Sequence, residues 1–287
     1  MGARYGQHFL RNRGAIDTIL KRFTPTPEDA VVELGPGRGA LTHELAARAG
    51  ALAAVEIDPA LAEELARALS IPLMPQEALR SRPAGGGPPR FVVRADAVDV
   101  RYEDLAAHLG AGPDRRVRVI GNLPYAVATA LIRRAIGERN LVAEALVMVQ
   151  KEVADRLLAS PGSKDYGFLT VLAALASERA RVMTLEPGSF APPPKVRSSV
   201  VSLLFPRPAP SFRDDDARLA ALLRAAFTER RKKLASNLAR AYALTREDAE
   251  SRLAAVGADA GARAEVLPPE AFARLAAALP APARPSL

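Results

Sequence analysis

The feature that most constrains the fold is an alternation of short apolar runs with stretches that favour helices. The runs are rich in Val, Leu and Ile, and Ala- and Leu-rich stretches such as 60–69 and 126–136 lie between them. This alternation predicts an α/β fold in which helices cover both faces of a parallel sheet. Two later runs, 181–185 and 198–205, have no long helix between them and are expected to add an antiparallel edge. The predicted main strands are 31–34, 52–57, 91–95, 117–120 and 144–149.

A glycine-rich turn follows the first predicted strand. The segment Val31 to Gly39 reads VVELGPGRG and leads into a helix-like stretch at 40–49. Glycine lets the backbone approach a ligand, and the start of a helix offers unpaired N–H groups, so the turn predicts a site for a nucleotide-like cofactor. The second strand ends near Glu56, about 20 residues further on, where an acid commonly binds ribose hydroxyls, and the third ends before Asp96. This spacing leaves open whether the cofactor is a dinucleotide or another adenosine derivative.

The segment Asn122 to Tyr125, Asn-Leu-Pro-Tyr, directly follows the strand predicted at 117–120. The Asn122 amide oxygen can accept from an exocyclic amine, Pro124 stiffens the turn, and the Tyr125 ring offers a face for base stacking. By itself the tetrapeptide also fits an ordinary turn at the end of a strand. The order of the motifs along the chain is more specific. In this order the chain resembles the S-adenosylmethionine-dependent methyltransferases that act on adenine N6, with a glycine turn followed by Glu56, Asp96 and Asn-Leu-Pro-Tyr.

Five further segments narrow the resemblance. They are Tyr5 to Leu10, Met148 to Ala154, Pro161 to Gly167, Phe190 to Val196 and Arg230 to Lys233. Taken together, from about Tyr5 to Leu238, the chain is similar to the 16S rRNA adenine N6,N6-dimethyltransferase family. The resemblance implies a Rossmann-like class I methyltransferase sheet followed by a small C-terminal helical domain. It also implies transfer of methyl groups from S-adenosyl-L-methionine to two adjacent adenosines in a hairpin loop near the 3′ end of 16S rRNA, during assembly of the small subunit.

The catalytic residues follow from the motif and the resemblance. The Asn122 side-chain oxygen and a backbone carbonyl, that of Leu123 or Pro124, are expected to accept both N–H bonds of the target amine. No side-chain general base is then required, because the proton can leave after methyl transfer. Tyr125 is expected to stack on the base, and the resemblance places Phe190 on its other face.

The cofactor residues are likewise expectations of the resemblance. Glu56 would bind the ribose hydroxyls and Asp96 the adenine amine, while Glu33 would orient the glycine turn or reach the methionine part, unless its role is purely structural. His8 stands where many relatives carry Asn, and Asn12 where they often carry Asp. The full predicted set is Gln7, His8, Leu10, Glu33, Gly35, Gly37, Glu56, Ile57, Asp96, Ala97 and Asn122.

Composition agrees with an RNA substrate. The formal net charge is +8 and the sequence pI about 10.2, which favours a polyanionic partner. The absence of cysteine excludes disulfides and thiolate metal sites, and no metal is expected. No apolar run approaches the roughly 18 residues that suggest a membrane span. A cytoplasmic, monomeric protein is the simplest interpretation.

Two domains are predicted, a methyltransferase domain at 1–206 and an RNA-contacting helical domain at 207–287. Pro206 to Pro210 is interpreted as a stiff linker, and Asp214 to Asp216 as a cap for the helix that follows. The run Arg230 to Lys233 is expected to contact RNA phosphates. The Pro- and Gly-rich stretch 75–89 is expected to be a mobile excursion. The helical stripe of the second domain is predicted as Leu219, Leu223, Phe227, Leu234 and Leu238.

Two other functions compete with this prediction. The first is the same chemistry on one adenosine of large-subunit rRNA, as in the macrolide-resistance methyltransferases, although Tyr166-Gly167 and Pro192 to Lys195 favour the small-subunit group. The second is an RNA-binding assembly or transcription factor with a vestigial transferase site. The intact glycine turn and Asn-Leu-Pro-Tyr motif argue against that factor.

Overall fold

The computed structural model describes residues 7–81, 89–206 and 216–279. Within these ranges the strands and helices alternate as the sequence predicts, and the predicted α/β class is confirmed. The strands are β1 (Phe9–Leu10), β2 (Ala30–Leu34), β3 (Ala51–Glu56), β4 (Leu73–Pro75), β5 (Arg90–Arg94), β6 (Val117–Asn122), β7 (Val142–Gln150), β8 (Glu178–Leu185), β9 (Phe190–Ala191) and β10 (Ser198–Leu204). The helices are α1 (Arg13–Phe23), α2 (Thr42–Arg48), α3 (Pro59–Leu69), α4 (Tyr102–His108), α5 (Ala128–Gly137), α6 (Lys151–Leu158), α7 (Phe168–Ala176), α8 (Asp216–Thr228), α9 (Leu234–Tyr242), α10 (Arg246–Ala255) and α11 (Pro269–Ala278).

The central sheet has eight strands in the order β4-β5-β3-β2-β6-β7-β10-β8. The strands from β4 to β7 are parallel, whereas β10 is antiparallel to both of its neighbours, so the predicted antiparallel edge is confirmed. Because parallel strands end at the same edge, the residues that follow β2, β3, β5 and β6 come together there. Gly121 permits β6 to approach β2, since a Cβ at this position would lie 2.3 Å from the Leu34 carbonyl oxygen.

Both faces of the sheet are buried. On one face, Ile19 of α1 and Leu45 of α2 pack in a cluster with Val31 and Leu52. Side chains that point to the opposite face, such as Val32, are fully buried as well. Strands buried on both sides need apolar residues at nearly every position, which explains the continuous apolar runs in the sequence.

Helix caps explain where α1 and α3 begin. The Asn12 side-chain oxygen accepts the Ala15 N–H at 3.0 Å, and the Asp58 carboxylate accepts the Ala60 N–H at 2.9 Å. Asn and Asp are comparably good at the N-cap position. Asn12 therefore makes the N-cap interaction that the resemblance leads us to expect from Asp at this position.

A separate two-stranded sheet brings the N-terminal segment to the later FAPPPKV segment. β1 pairs antiparallel with β9, so that Phe9 lies opposite Ala191 and Leu10 opposite Phe190. The Arg11 backbone N–H also donates to the Ser189 carbonyl at 2.9 Å. Two segments that resemble the family separately are thus joined in the structure.

The stretch 75–89 is more regular than the sequence suggests. Its first residue ends β4, which pairs with β5, and residues 76–80 form a turn of 3-10 helix. This regular structure was not predicted from the sequence, and the mobility of the stretch stays a prediction. Residues 82–88 lie outside the described ranges.

Cα positions group the chain into two compact units, one formed by 1–154 with 178–205 and the other by 155–177 with 206–287. The division near 206 resembles the predicted boundary, but 155–177 groups with the C-terminal helices instead of the sheet. The two-domain assignment itself stays a prediction. Residues 207–215, which include most of the predicted linker and cap, lie outside the described ranges.

The second unit is helical and has its own apolar core. The predicted stripe is buried in it at Leu219, Leu223, Leu234 and Leu238, with Phe227 packed alongside. The tail after Leu267, for which the sequence indicates no role, contributes α11 to this core. None of the helices in the described part of the chain is both long and apolar enough to cross a bilayer.

Candidate active site

A pocket lies at the carboxyl edge of the parallel strands, where β2, β3, β5 and β6 end. All eleven residues predicted for the cofactor line it, together with Leu123, Pro124 and Tyr125 of the acceptor motif. The structure therefore brings the predicted cofactor and acceptor residues into one cavity. Lining residues that the sequence prediction did not include are Phe9, Leu34, Pro36, Arg38, Ala40, Leu41, Val55, Ala95 and Val127.

The glycine turn is shaped by positive backbone angles. Gly37 has φ +56°, and a Cβ at this position would lie 2.9 Å from the Phe9 ring. A side chain at residue 37 would thus be strained and would collide with the N-terminal segment. The Arg38 guanidinium lies over the Phe9 ring, 5.0 Å from its centre.

Glu56, at the end of β3, ties the turn to the sheet. Its carboxylate accepts the Gly37 N–H at 2.9 Å and the Asp58 N–H at 3.0 Å, and Gln7 donates to it at 3.5 Å. Burial raises the pKa of Glu56, and the N–H groups of Asp58 and Gly37 oppose that rise. Each carboxylate oxygen has two lone pairs, so these bonds leave Glu56 able to accept from a ligand hydroxyl.

Glu33, on β2, is a second buried acid in the same pocket. It is 2% exposed, and no described group forms a hydrogen bond with its Oε2 atom. Burial raises the pKa of Glu33 to about 8; the Thr42 hydroxyl opposes the rise and the Glu56 charge adds to it. A buried carboxyl oxygen without a partner is costly unless a ligand satisfies it. Glu33 therefore fits a cofactor that carries a hydrogen-bond donor.

The Asn122 side chain is oriented by the N-terminal segment. Its Nδ2 group donates to the His8 carbonyl at 2.8 Å, which leaves the Oδ1 oxygen free of this bond. The following backbone is also fixed, because the Leu123 N–H donates to the Met148 carbonyl at 3.0 Å. The Pro124 carbonyl accepts the N–H groups of Val127 and Ala128 at 3.1 and 3.0 Å. Of the two carbonyls considered from the sequence, that of Pro124 is already used by the turn.

Tyr125 is tethered at its hydroxyl. This hydroxyl shares a 2.8 Å hydrogen bond with the Ser198 hydroxyl on β10. The ring centre lies 5.8 Å from that of His8, at an angle of 32°. His8 is itself held, because its Nδ1 atom lies 2.8 Å from the Pro192 carbonyl, which can only accept.

Phe190 is the one predicted catalytic residue that the structure does not bring to the pocket. It is 1% exposed and packs in the core that includes Leu10, its partner in the β1–β9 pair. The pairing of Phe190 with Leu10 anchors the segment that carries His8. The stacking of Phe190 on a base stays a prediction.

Comparison with known proteins decides the family. A model of the ribosomal RNA adenine dimethylase family matches residues 2–279. The chain belongs to this family. Proteins named ribosomal RNA small subunit methyltransferase A are similar over nearly the whole length. The one from Geobacter metallireducens is 37% identical over 96% of this chain and 94% of its own. The one from Anaeromyxobacter sp. strain K is 37% identical over 92% of this chain and 88% of its own length.

Solved structures agree with the assignment to the dimethylase family. A dimethyladenosine transferase from Plasmodium falciparum is 25% identical, with a TM-score of 0.73 over 93% of this chain and 96% of that one. The 23S rRNA methyltransferase ErmE is 28% identical, with a TM-score of 0.66 over 94% and 99%. The family model and the named relatives confirm the family and the enzyme class predicted from the sequence. The two solved structures confirm the predicted methyltransferase type of sheet.

The basic run of this dimethylase-family chain forms the turn between α8 and α9, in the second unit. Arg230 donates to the carbonyls of Lys164 and Tyr166 at 2.9 and 2.8 Å, and Lys232 pairs with Glu229 at 2.6 Å. Arg231 and Lys233 are exposed, and within the described ranges their side chains show no ion pair or hydrogen bond. Two of the four predicted phosphate contacts are thus engaged within the protein, and two are available.

Sequence reasoning also missed residues that hold the site. Ser198 bonds to Tyr125 across 73 positions, and the Pro192 carbonyl holds His8 across 184. No local pattern marks such contacts, because they depend on which strands become neighbours. Within the described residues, no group of three or more His, Cys, Asp or Glu side chains comes together that could hold a metal ion.

Proposed function

We propose that this chain transfers methyl groups from S-adenosyl-L-methionine to N6 of two adjacent adenosines in a hairpin loop near the 3′ end of 16S rRNA. The substrate would be the assembling small subunit, and the enzyme would act in the cytoplasm as a monomer. Family membership and the name shared by its relatives support the choice of substrate. The observation that carries the chemistry is the Asn122 amide, whose Nδ2 group is held by the His8 carbonyl while its oxygen remains for a substrate amine.

The pocket fits S-adenosylmethionine by the chemistry of its donors and acceptors. Glu56 has acceptor capacity left for ribose hydroxyls, and the unpartnered oxygen of Glu33 suits the ammonium of an amino acid. One oxygen of Asp96 accepts the Val98 N–H at 2.9 Å, so the other is left for an adenine amine. When bound, the cofactor supplies a methyl group already activated by its sulfonium. The task of the protein is then to position the acceptor.

The acceptor amine is a poor nucleophile, because its lone pair is delocalised into the adenine ring. The Asn122 oxygen and the Leu123 carbonyl can accept its two N–H bonds and draw the nitrogen toward a tetrahedral geometry that frees the lone pair. We choose Leu123 over Pro124, because the Pro124 carbonyl already accepts two N–H groups of the turn. No side-chain base is required, since the proton leaves after the methyl group has been transferred.

Tyr125 would hold the plane of the flipped base. Stacking on an aromatic ring is worth about 1–3 kcal/mol per base, similar to the cost of removing a base from its stack. The hydrogen bond to Ser198 fixes the ring before the base arrives, which lowers the entropic cost of stacking. Ala126 lines the pocket next to Tyr125 and leaves space for the first methyl group during the second transfer.

The test is methylation of defined rRNA substrates. Purified protein would be incubated with labelled S-adenosylmethionine and with immature small subunits, naked 16S rRNA or large subunits, and the RNA would be digested for mass spectrometry. We expect N6,N6-dimethyladenosine in the 3′ hairpin of 16S rRNA. Product confined to the large subunit would instead support the chemistry of the macrolide-resistance enzymes. Tight RNA binding without product from any substrate would favour an RNA-binding factor.

A further inference from the structure

The loop that follows β5 carries three of the pocket residues, Ala95, Asp96 and Ala97. Between the end of β5 at Arg94 and the start of α4, this loop forms a turn without regular structure. Within the loop, the Val98 N–H donates to the Asp96 carboxylate at 2.9 Å, and the Asp99 N–H donates to the Asp96 carbonyl at 2.9 Å. These short-range bonds shape the turn, and its start is tied to β3 because the Ala95 N–H donates to the Glu56 carbonyl at 3.0 Å.

One arginine from another element holds the part of the loop that follows Asp96. The Arg134 guanidinium, on α5, donates through one nitrogen to the carbonyls of Ala97 at 3.0 Å and Val100 at 2.5 Å. Its other terminal nitrogen donates to the Val98 carbonyl. Hydrogen bonds from a charged donor are stronger than neutral ones, and a planar guanidinium can satisfy several acceptors at once. Three carbonyls of one turn therefore converge on a single cation.

The helix that carries Arg134 is itself tied to the acceptor motif. α5 begins where the N–H groups of Val127 and Ala128 donate to the Pro124 carbonyl, and its buried face includes Leu131 and Ile132. Arg134 lies less than two helical turns from this start. A rigid helix thus connects the Asn-Leu-Pro-Tyr motif to the loop that bears Asp96.

We propose that Arg134 is a positioning residue that holds the Asp96–Ala97 loop in the shape that binds the adenine of the cofactor. This inference rests on the proposed function, in which Asp96 accepts the adenine amine. Without the Arg134 bonds the loop would adopt other conformations for part of the time. The apparent affinity for the cofactor would then fall in proportion to the fraction of molecules that keep the binding conformation. If that shape falls to about a tenth of the population, the cofactor Kd rises about tenfold. The turnover rate at saturating cofactor would change little, because Arg134 does not contact the acceptor.

The experiment measures recognition of the base, which a general loss of stability would not alter. Binding of S-adenosylhomocysteine would be compared with that of S-inosylhomocysteine, in which an oxygen replaces the adenine amine, for the wild type, Arg134→Met, Arg134→Lys and Asp96→Ala. Arg90→Met is the matched control. Arg90 also donates from its guanidinium to two carbonyls, those of Ala46 and Ala49 at 2.7 Å each, but at the opposite edge of the sheet.

We expect Arg134→Met to bind S-adenosylhomocysteine about tenfold more weakly and to lose most of the preference for adenine over hypoxanthine. Arg134→Lys should recover part of both, and Arg90→Met should keep the wild-type preference even if its Tm falls. An unchanged preference and affinity in Arg134→Met would overturn the inference. If Arg134→Met does not fold, the test uses Arg134→Lys and the ratio of its affinities for S-adenosylhomocysteine and S-inosylhomocysteine. A ratio equal to that of the wild type would then overturn the inference.

Failure of the proposed function would look different. If the wild type bound no S-adenosylhomocysteine, the proposed cofactor would be wrong. If Asp96→Ala kept the full preference for adenine, the role of Asp96 would be wrong. In that second case the Arg134 inference is decided by the affinity for S-adenosylhomocysteine alone, and equal values for Arg134→Met and Arg90→Met would overturn it.

Discussion

The pocket of the first unit and the basic turn of the second are both marked by short sequence motifs, yet the structure uses the two motifs differently. In the pocket, main-chain groups hold Asn122, Glu56 and Asp96 so that each side chain keeps an oxygen for a ligand. In the turn between α8 and α9, half of the charges are consumed by the protein itself, as with Arg230. A motif at a strand end thus indicates a site directly, whereas a charge run indicates only a set of candidates.

The largest effect that would test this contrast is expected from Asn122→Ala. Loss of one preorganised polar group that acts on the transition state typically lowers kcat about 100- to 1,000-fold. Because the Asn122 side chain makes one hydrogen bond within the described protein, to the His8 carbonyl, the Tm should change little, and any loss of affinity for S-adenosylhomocysteine should be far smaller than the loss of kcat. Single-turnover methylation of immature small subunits would measure the effect.

Asn237 in the second unit is the matched control for that variant. Its amide also donates to main-chain carbonyls, those of Ala226 at 3.0 Å and Glu229 at 3.2 Å, but it is 2% exposed and does not line the pocket. Asn237→Ala should lower the free energy of unfolding by about 1–3 kcal/mol and leave methyl transfer per folded molecule unchanged. Equal losses of kcat in the two variants would contradict the contrast.

A second, smaller effect is expected from Gly37→Ala. A left-handed backbone angle costs an L-residue about 1–2 kcal/mol, and here the added methyl group would also displace the Phe9 ring. We expect both a lower Tm and a roughly tenfold higher Kd for S-adenosylhomocysteine, since each 1.4 kcal/mol lost in binding is a factor of ten. Calorimetric titration and thermal unfolding would measure the two quantities.

Gly162→Ala is a control that separates the effect of backbone strain from the effect of a collision with a neighbouring side chain. It has φ +86° in the second unit, and a Cβ at this position would meet nothing within 4 Å. Gly162→Ala should therefore lower the Tm through backbone strain alone and leave cofactor affinity at the wild-type value. If Gly37→Ala behaved in the same way, the packing of Phe9 on the turn would have no part in cofactor binding.

The parts of the site that the sequence predicts are those governed by strand order. Gly35, Glu56, Asp96 and Asn122 each lie at or just beyond the end of a parallel strand, and such ends must meet at one edge. Ser198, which tethers Tyr125, carried no signal, because their contact depends on the placement of β10. The placement of Phe190 could not be deduced either, since the β1–β9 pairing decides that its ring enters the core.

A third prediction concerns pH, because two carboxylates in the two regions are shifted in opposite directions. In the unfolded chain Glu33 loses its proton near the ordinary value of 4.5, whereas burial raises its pKa in the folded protein to about 8. Between these values the folded state binds more protons, so the free energy of unfolding falls as the pH rises from about 4.5 to 8. Glu33→Gln should make this decline shallower, with the raised pKa of Glu56 leaving part of it.

Glu229 gives the opposite sign. Hydrogen bonds from Lys232 and then Arg240 lower its pKa, so its contribution is present above the ordinary pKa and is lost as the pH falls. Because the Glu229 side chain is only partly buried, Glu229→Gln should change the Tm only slightly, and only in acid. Thermal unfolding from pH 4 to 9 would compare the variants. A Glu33→Gln curve parallel to the wild type would show that Glu33 does not keep its proton in the folded protein.

The smallest effect is expected from the two available cations of the basic turn. Removal of one phosphate contact lowers the slope of log affinity against log salt by about one and weakens binding to all RNA sequences alike. Arg231→Gln and Lys233→Gln should each behave in this way, with an unchanged Tm. Arg230→Gln should instead lower the Tm, because its guanidinium holds the carbonyls of Lys164 and Tyr166. Salt titrations of rRNA binding with all three variants would distinguish a phosphate contact from a structural one. If Arg230→Gln alone changed the salt slope, the division of this turn into engaged and available charges would be wrong.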